Sequence, residues 1–221
     1  MPRRAHVSRT PAKMPTPEPL MQELGYSFSL TTFAPSGKLW QIQHAITATA
    51  RGRSSVGVQA KDGIVLVCQR KQDEASEVLV DQSTVKLMEL VNAETGVTYS
   101  GLQADFRPVL SLAREIAVQY KATYGEEIPL QMLARRLAER FQEYTHEGGV
   151  RPFGIALMMA GLDQGKPSLY QIEPSGSYFK IRAWANGKEN EKIRQSLEKR
   201  LGEGLCEGSL DDAVVAALGL M

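Results

Sequence analysis

Two adjacent hydroxyl side chains, Ser54 and Ser55, follow Arg53 at the start of a stretch with alternating apolar residues. A serine here can act as a nucleophile if cleavage frees its own amine, because that amine then takes the hydroxyl proton. Cleavage between Arg53 and Ser54, with Lys86 nearby, would give a self-processing hydrolase. Arg53 cannot attack a carbonyl, since a guanidinium stays protonated and only donates hydrogen bonds. No small-residue context that would favour such cleavage precedes Ser54.

The histidines and the charged runs do not indicate a metal site. His6, His44 and His146 lie in the N-terminal stretch, a predicted helix and a helix end, and neither a carboxylate nor a cysteine stands at ligand spacing from them. The arginines and glutamates of residues 135–143 are typical of a solvated helix face with i,i+4 ion pairs. We therefore expect neither a metal nor a cofactor.

Composition and charge restrict the class of protein. The chain has 221 residues, of which 43% are hydrophobic and 23% charged, as expected for one large α/β domain. The net charge of +1 favours neither nucleic acid nor an anionic membrane as a partner. No apolar run reaches the length of a membrane span. Cys68 and Cys206 are predicted to be free thiols in a reducing compartment, so we expect the cytoplasm and nucleus.

The first 24 residues are predicted to be a flexible tail. Residues 1–19 contain four basic side chains before Glu18, together with five prolines. A mitochondrial targeting peptide has a similar charge, but these prolines would break its amphipathic helix. A start at Met21, with the preceding residues missing from the mature protein, remains open. A tail that binds nucleic acid would make binding steeply dependent on salt, but this one is short and has no aromatic residue.

A hairpin is predicted at the centre of the core. Val56, Val58 and Ala60 alternate with other residues in the pattern of a half-buried strand. Asp62-Gly63 predicts a tight turn with positive φ, and the apolar run 64–68 predicts a second strand buried on both faces. The rest of the chain should pack on these two strands.

Further strands and two pairs of helices follow. Asp105 is the predicted N-cap of a long helix, and Pro129 opens a second one. Residues 151–161 return to a buried strand, and Ser209 with Asp212 forms a capping box at the last helix. The predicted stripe of the first long helix comprises Val109, Ala113, Ile116, Ala117, Tyr120 and Tyr124. This order predicts an α/β fold, a four-layer α-β-β-α sandwich.

Four motifs together resemble the α subunits of the proteasome core particle. They are the stretch from Gly25 to Ala45, the hairpin Lys61-Asp62-Gly63, the stretch Ser100-Gly101-Leu102-Gln103-Ala104-Asp105-Phe106-Arg107, and Gly148-Gly149-Val150-Arg151-Pro152-Phe153-Gly154. The resemblance covers nearly the whole chain from Met21. Ser27 and Phe28, where most α types have Asp and Arg, make it most similar to the type-2 branch. The resemblance implies the N-terminal nucleophile hydrolase fold, with one domain at 25–221 and a gate segment and ring helix at 25–52.

The resemblance also implies a function without catalysis. Catalytic β members of this family begin with a threonine nucleophile, and Arg53 stands at its position. Gln69 replaces the nearby carboxylate, and Lys86 lies at or beside the lysine of that site. The implied role is a structural and gating subunit of the outer α ring of the 20S proteasome, which passes unfolded polypeptides in ubiquitin-dependent degradation. The implied partners are the other α subunits of a heteroheptameric ring, the β subunits, and activators or the regulatory particle, with no nucleic acid and no membrane.

Two sets of site residues are implied by the same resemblance. An activator-docking pocket would contain Lys86, Gly52 and Leu102, with the lysine pairing with a carboxylate at the C-terminus of an activator subunit. A gate cluster would contain Tyr26, Pro35 and His44. Gln43-His44 departs from the Glu-Tyr that is usual in the family.

Overall fold

The computed structural model describes residues 30–70, 81, 84–163 and 165–221. The predicted tail and Tyr26 therefore lie outside the described residues. The strands are β1 (Ser55–Gln59), β2 (Ile64–Cys68), β3 (Met88–Leu90), β4 (Gly96–Gly101), β5 (Ile155–Asp163), β6 (Lys166–Ile172), β7 (Tyr178–Ile181) and β8 (Ala183–Asn186). The helices are α1 (Trp40–Ala50), α2 (Gln103–Tyr124), α3 (Leu130–Glu143), α4 (Asn190–Gly202) and α5 (Leu210–Leu218).

Two antiparallel sheets form the centre of the fold. One has the order β2-β1-β8 and the other β3-β4-β5-β6-β7. The sheets face each other, with β1 against β4 and β6, and β2 against β5 and β6. Helices α2 and α3 pack on the five-stranded sheet, whereas α4 and α5 pack on the three-stranded one. The predicted four-layer α-β-β-α sandwich is confirmed.

The core is largest between the five-stranded sheet and its helices. Leu133, Leu137 and Phe141 of α3 are fully buried there, together with Ile155 and Leu157 of β5. Each fully buried side chain of this size contributes about 1.5–3 kcal/mol through loss of its apolar surface from water. The prediction that residues 151–161 return to a buried strand is confirmed for residues 155–159 of β5.

The predicted hairpin exists, but three of its details are wrong. β1 is buried from Ser55 to Val58 and therefore on both faces, whereas a half-buried strand was predicted. Among the described residues β2 pairs only with β1, so it is an edge strand and not the centre of the core, and of its five residues only Val65 is buried. Positive φ is absent at both Asp62 and Gly63. Gly63 instead leaves space for α5, because a Cβ there would lie 2.9 Å from Cδ1 of Leu210.

The start of α2 differs from the predicted one. Leu102 is the N-cap residue, without a side-chain cap, and Asp105 lies in the first turn of the helix. Its carboxylate is bound by Arg151 and Gly154 and does not cap the helix. At the other end, Tyr124 is 62% exposed and outside the buried stripe. The helix ends as predicted at a glycine, Gly125, in the left-handed conformation.

The chain crosses from one sheet to the other near residue 182, which the sequence did not indicate. β7 closes the five-stranded sheet, whereas β8 pairs with β1 in the three-stranded sheet. Gln171 of β6 and Asn186 of β8 join the two sheets through two hydrogen bonds between their buried side-chain amides, of 3.2 and 2.9 Å. The predicted capping box of α5 is present, with Ser209 and Asp212 bonded in both directions.

Candidate functional site

The connection between α1 and β1 is held tightly against β4. Ser100 Oγ lies 3.0 Å from the carbonyl oxygen of Thr49 and 2.8 Å from that of Arg53, and it is buried. Gly52 approaches the backbone of Gly101 so closely that a Cβ on Gly52 would lie 2.1 Å from the Gly101 nitrogen. This crossing therefore requires glycine at position 52. The crossing holds Arg53 and Ser54 in place, the residues that the sequence analysis considered for catalysis.

The geometry around Ser54 does not support a nucleophile. Its buried hydroxyl donates a hydrogen bond of 2.6 Å to the carbonyl oxygen of Lys188, so the proton is directed at an amide oxygen that is a weak base. Gln69 contributes an amide and no carboxylate to the cavity that contains these residues. That cavity, of about 280 Å³, is lined by Arg51, Gly52, Arg53, Ser54, Gln69, Lys188, Glu189, Ile193, Leu220 and Met221. We call it the Arg53 cavity.

The positive charge of Arg53 affects two neighbouring groups. Burial raises the pKa of the Cys68 thiol, while a hydrogen bond with Thr98 and the Arg53 charge partly offset that rise. Burial also raises the pKa of Tyr99, and Arg53 again acts in the opposite direction. Both groups are therefore neutral at pH 7, and neither supplies a counter-charge for the guanidinium.

Lys86 lies in a separate groove of about 540 Å³, which we call the Lys86 groove. Lys86 precedes β3, which begins at Met88. Its ammonium is 3.6 Å from Oε1 of Glu89, and 63% of its side chain is exposed. The groove is lined by Thr84, Lys86, Glu89, Gln103, Phe106, Arg107, Leu110, Ser111 and Arg114.

Glu89 is shared between two cations. Its Oε2 accepts a hydrogen bond of 3.0 Å from Nη2 of Arg114, and Arg114 also donates to the carbonyl oxygen of Leu90 at 2.7 and 3.1 Å. Arg114 thus anchors Glu89 beside Lys86. Sequence reasoning missed both residues. Neither had a local signal, because Lys86 and Glu89 lie at a strand, where three-residue spacing does not indicate pairing, and Arg114 comes from the middle of α2.

The three residues of the predicted docking pocket line different surfaces. Lys86 lies in its groove and Gly52 in the Arg53 cavity. Leu102 precedes Gln103 of the groove and follows Gly101, which touches Gly52. Leu102 is therefore next to both surfaces, and its side chain is 46% exposed.

Part of the predicted gate cluster is described. Pro35 lies in an exposed turn that Gly37 closes with positive φ. His44 is on α1, with its ring stacked on Trp40 at 6.1 Å between centroids. Tyr26 lies outside the described residues.

Neither a cluster of metal ligands nor a membrane-spanning helix is present in the described ranges. Within residues 30–70, 81, 84–163 and 165–221, no three His, Cys, Asp or Glu side chains are grouped as metal ligands would be. The helices of this part of the chain include none with the length and apolar character needed to cross a bilayer.

Comparisons with known proteins give consistent results. A family profile described as proteasome subunit matches residues 49–220. The chain is 44% identical to proteasome subunit alpha type-2 of Oryza sativa subsp. japonica and to alpha type-2-A of Arabidopsis thaliana, in each case over 90% of this chain and 82% of the relative. It is 45% identical to proteasome subunit alpha type-2 of Drosophila melanogaster, over 87% of this chain and 80% of the relative. These names agree with the type-2 branch indicated by Ser27 and Phe28.

Proposed function

This chain belongs to the proteasome subunit family, and from that premise we propose that it is a non-catalytic α subunit in the outer ring of the 20S core particle. It controls the passage of unfolded polypeptides into the particle during ubiquitin-dependent degradation, and it docks activators. Its partners are the other α subunits of a heteroheptameric ring, the β subunits, and activators or the regulatory particle. It acts in the cytoplasm and nucleus.

The attachment of α1 to the core carries this proposal. A self-processing hydrolase would release everything before Ser54, but here the preceding segment is attached to β4, because Ser100 Oγ lies within hydrogen-bond distance of the carbonyl oxygens of Thr49 and Arg53. α1 lies against β4 and β5 as a structural element. With Arg53 at the nucleophile position and the Ser54 hydroxyl directed at the Lys188 carbonyl, the chain contributes structure and leaves the chemistry to other subunits.

Affinity isolation of the full chain from its native cells, with mass spectrometry of its partners and of its own N-terminus, tests the assignment. We expect other α-like chains, β-like chains with an N-terminal threonine, and an uncut bond between Arg53 and Ser54. Recovery of a solitary chain that begins at Ser54 would contradict the proposal and support the self-processing hydrolase.

Activator docking is proposed at the Lys86 groove, with Gly52 and Leu102 at its neighbouring surfaces. The supporting observation is an exposed ammonium in a concave surface that also contains Arg107 and Arg114. A terminal carboxylate can pair with Lys86 as it would with any flexible point charge. Glu89, only 3.6 Å from the ammonium, competes with that carboxylate.

We therefore expect opposite effects from Lys86→Ala and Glu89→Gln. Loss of the ammonium should weaken binding of a peptide with a free C-terminal carboxylate about tenfold, the value of one charge-assisted contact. Loss of the competing carboxylate should strengthen it about two- to fivefold, because an exposed ion pair contributes at most about 1 kcal/mol. Fluorescence anisotropy with a labelled peptide and assembled particles measures both.

Lys166→Ala is the matched control for this pair of variants, since Lys166 is an exposed lysine on β6 and outside the groove. It should leave affinity unchanged. An amidated peptide should show no difference between wild type and either variant. Equal affinity of wild type and Lys86→Ala for the free peptide would exclude Lys86 as the docking residue.

The gate cluster of Tyr26, Pro35 and His44 is also proposed. Replacing Gln43 and His44 by the usual pair of the family, as Gln43→Glu with His44→Tyr, should raise or leave unchanged the hydrolysis of small peptides by particles without activator. The added phenol would extend the cluster that holds the gate open. A fall in that rate would contradict a role of His44 in gating.

A further inference from the structure

The Arg53 cavity contains three cations whose charges are only partly neutralised. Arg51 and Arg53 come from the connection between α1 and β1, and Lys188 precedes α4. None of the three forms an ion pair with another residue in the described part of the chain. Glu189, the acid that lines the same cavity, lies 3.5 Å from Nζ of Lys192. Met221, the last residue of the sequence, also lines the cavity, so three cations face the carboxylate of Glu189 and the terminal carboxylate of Met221, and an excess of one positive charge remains.

Of these three cations, Arg53 is the one whose burial costs the most free energy. Its Nη1 atom is buried and has no hydrogen-bond partner among the residues that the structure describes. Arg194, which is also partly buried, does have an acceptor, since its Nε donates to the carbonyl oxygen of Ala185. A guanidinium cannot lower its cost by losing a proton, so a partly buried one without an acceptor is stabilised by an anion.

The start of α4, at the same cavity, also favours negative charge. Glu189 adopts the left-handed conformation, with φ of 62°, and its side chain does not cap α4. It is the one non-glycine residue of the described ranges with positive φ. The positive end of the α4 dipole thus adds to the field of the three cations in this cavity.

We propose that the Arg53 cavity binds a small oxyanion, phosphate or carboxylate, with Arg53 as its main contact and Arg51 and Lys188 as supporting charges. A volume of about 280 Å³ has room for such a group. The planar guanidinium fits both anions through paired hydrogen bonds. This site is separate from the Lys86 groove, although Gly52, which the proposed docking of activators also uses, is one of its lining residues.

Isothermal titration calorimetry of the full chain at low ionic strength tests the site. One arm titrates inorganic phosphate, and two others titrate a short peptide with a free or an amidated C-terminus. We expect saturable binding of phosphate or of the free peptide with a dissociation constant of about 1 mM or lower. The arm that responds identifies a free phosphate or a peptide carboxylate as the source. The proposal is overturned if neither phosphate nor the peptide with a free C-terminus shows saturable binding.

Arg53→Met tests the main contact, because methionine is flexible and lacks charge. We expect at least about tenfold weaker binding, as for the loss of a charge-assisted hydrogen bond. Lys188→Ala, at the cavity wall, should weaken binding about threefold, and it keeps the test decisive if Arg53→Met does not fold. Lys86→Ala should bind like wild type, which separates this site from the Lys86 groove. Wild-type affinity in both the Arg53→Met and Lys188→Ala variants, or in Lys188→Ala when Arg53→Met is unfolded, overturns the proposal.

Discussion

The Gly101→Ala variant is expected to lose about 3–5 kcal/mol of unfolding free energy, through backbone strain and overpacking together. Gly101 has φ of +121°, which side chains of L-residues rarely adopt, and a Cβ there would lie 2.1 Å from the carbonyl oxygen of Gly154. Neither the backbone strain nor the clash can relax easily, because the clash is with a backbone atom. In a chain of this size the unfolding midpoint should fall by about 10 °C. Thermal unfolding followed by circular dichroism measures it.

The variant Gly125→Ala separates the backbone strain from the steric clash. Gly125 also has positive φ, +76°, but no atom lies within 4 Å of the position a Cβ would take. This control carries the conformational cost without the clash, so it should lose only about 1–2 kcal/mol. A loss of the same size for both variants would show that the contact with Gly154 does not limit position 101.

The same close approach connects stability with the site. Gly101 touches Gly52 on one side and Gly154 on the other, so the entrance to β1, the end of β4 and the start of β5 meet at backbone distance. Arg53 follows Gly52 directly and lies at the wall of its cavity. We therefore expect the Gly101→Ala variant to impair anion binding at Arg53 as well as stability.

Local sequence signals predicted the elements of this fold well where one segment determines its own structure. The capping box of Ser209 and Asp212 needs only two side chains three residues apart, and it is present. The alternation at Val56 and Val58 identifies two buried positions of β1, but Ser55 and Gly57 are buried as well, because α5 and the second sheet cover this strand on both faces. Such patterns report which positions face an apolar environment.

Patterns of this kind do not report which neighbour supplies that environment. The apolar run of β2 predicted a central strand, but β2 pairs on one side only and its burial is partial. Asp105 stands where an N-cap is expected, yet its partners are 46 and 49 residues away. β8 was missed because its four residues gain their stability by pairing with β1, more than 120 residues earlier in the chain.

In the candidate site, too, the sequence identified residues but not their neighbours in space. The family resemblance identified Lys86, Gly52 and Leu102, but not that Lys86 and Gly52 line separate surfaces. Arg114, which anchors Glu89, comes from another element, and its role depends on how α2 packs against β3. The unpaired charge of Arg53 is likewise visible only when its surroundings are known.

The Asp105→Ala variant is expected to lose about 3 kcal/mol of unfolding free energy, which is the second large effect. The carboxylate accepts hydrogen bonds of 2.7 Å from both Nη1 and Nη2 of Arg151, and one of 2.9 Å from the backbone N–H of Gly154. Arg151 is 61% exposed and can be rehydrated, whereas the N–H of Gly154 would be left buried without its acceptor. Chemical denaturation at pH 7 measures the difference.

Glu139→Gln is the matched control, because Glu139 binds Arg135 at 2.9 Å with both side chains more than half exposed. It should lose at most about 0.5 kcal/mol, since solvent screens an exposed pair. Similar losses for the two variants would mean that burial of Asp105 does not decide the strength of its contacts.

The contribution of Asp105 should also depend on pH. Burial opposes ionisation of this carboxyl group, but hydrogen bonds from Arg151 and Gly154, with the Arg151 charge, outweigh it and lower the pKa of Asp105. A carboxylate with a lowered pKa in the folded state stabilises the fold fully above its ordinary pKa of about 3.9 and progressively less as the pH falls through its folded value. The gap in unfolding free energy between wild type and Asp105→Ala should therefore be largest near pH 7 and shrink below about pH 4. A gap that is constant down to the acid limit of the folded state would mean that ionised Asp105 does not carry the effect, and packing of its side chain would then be the cause.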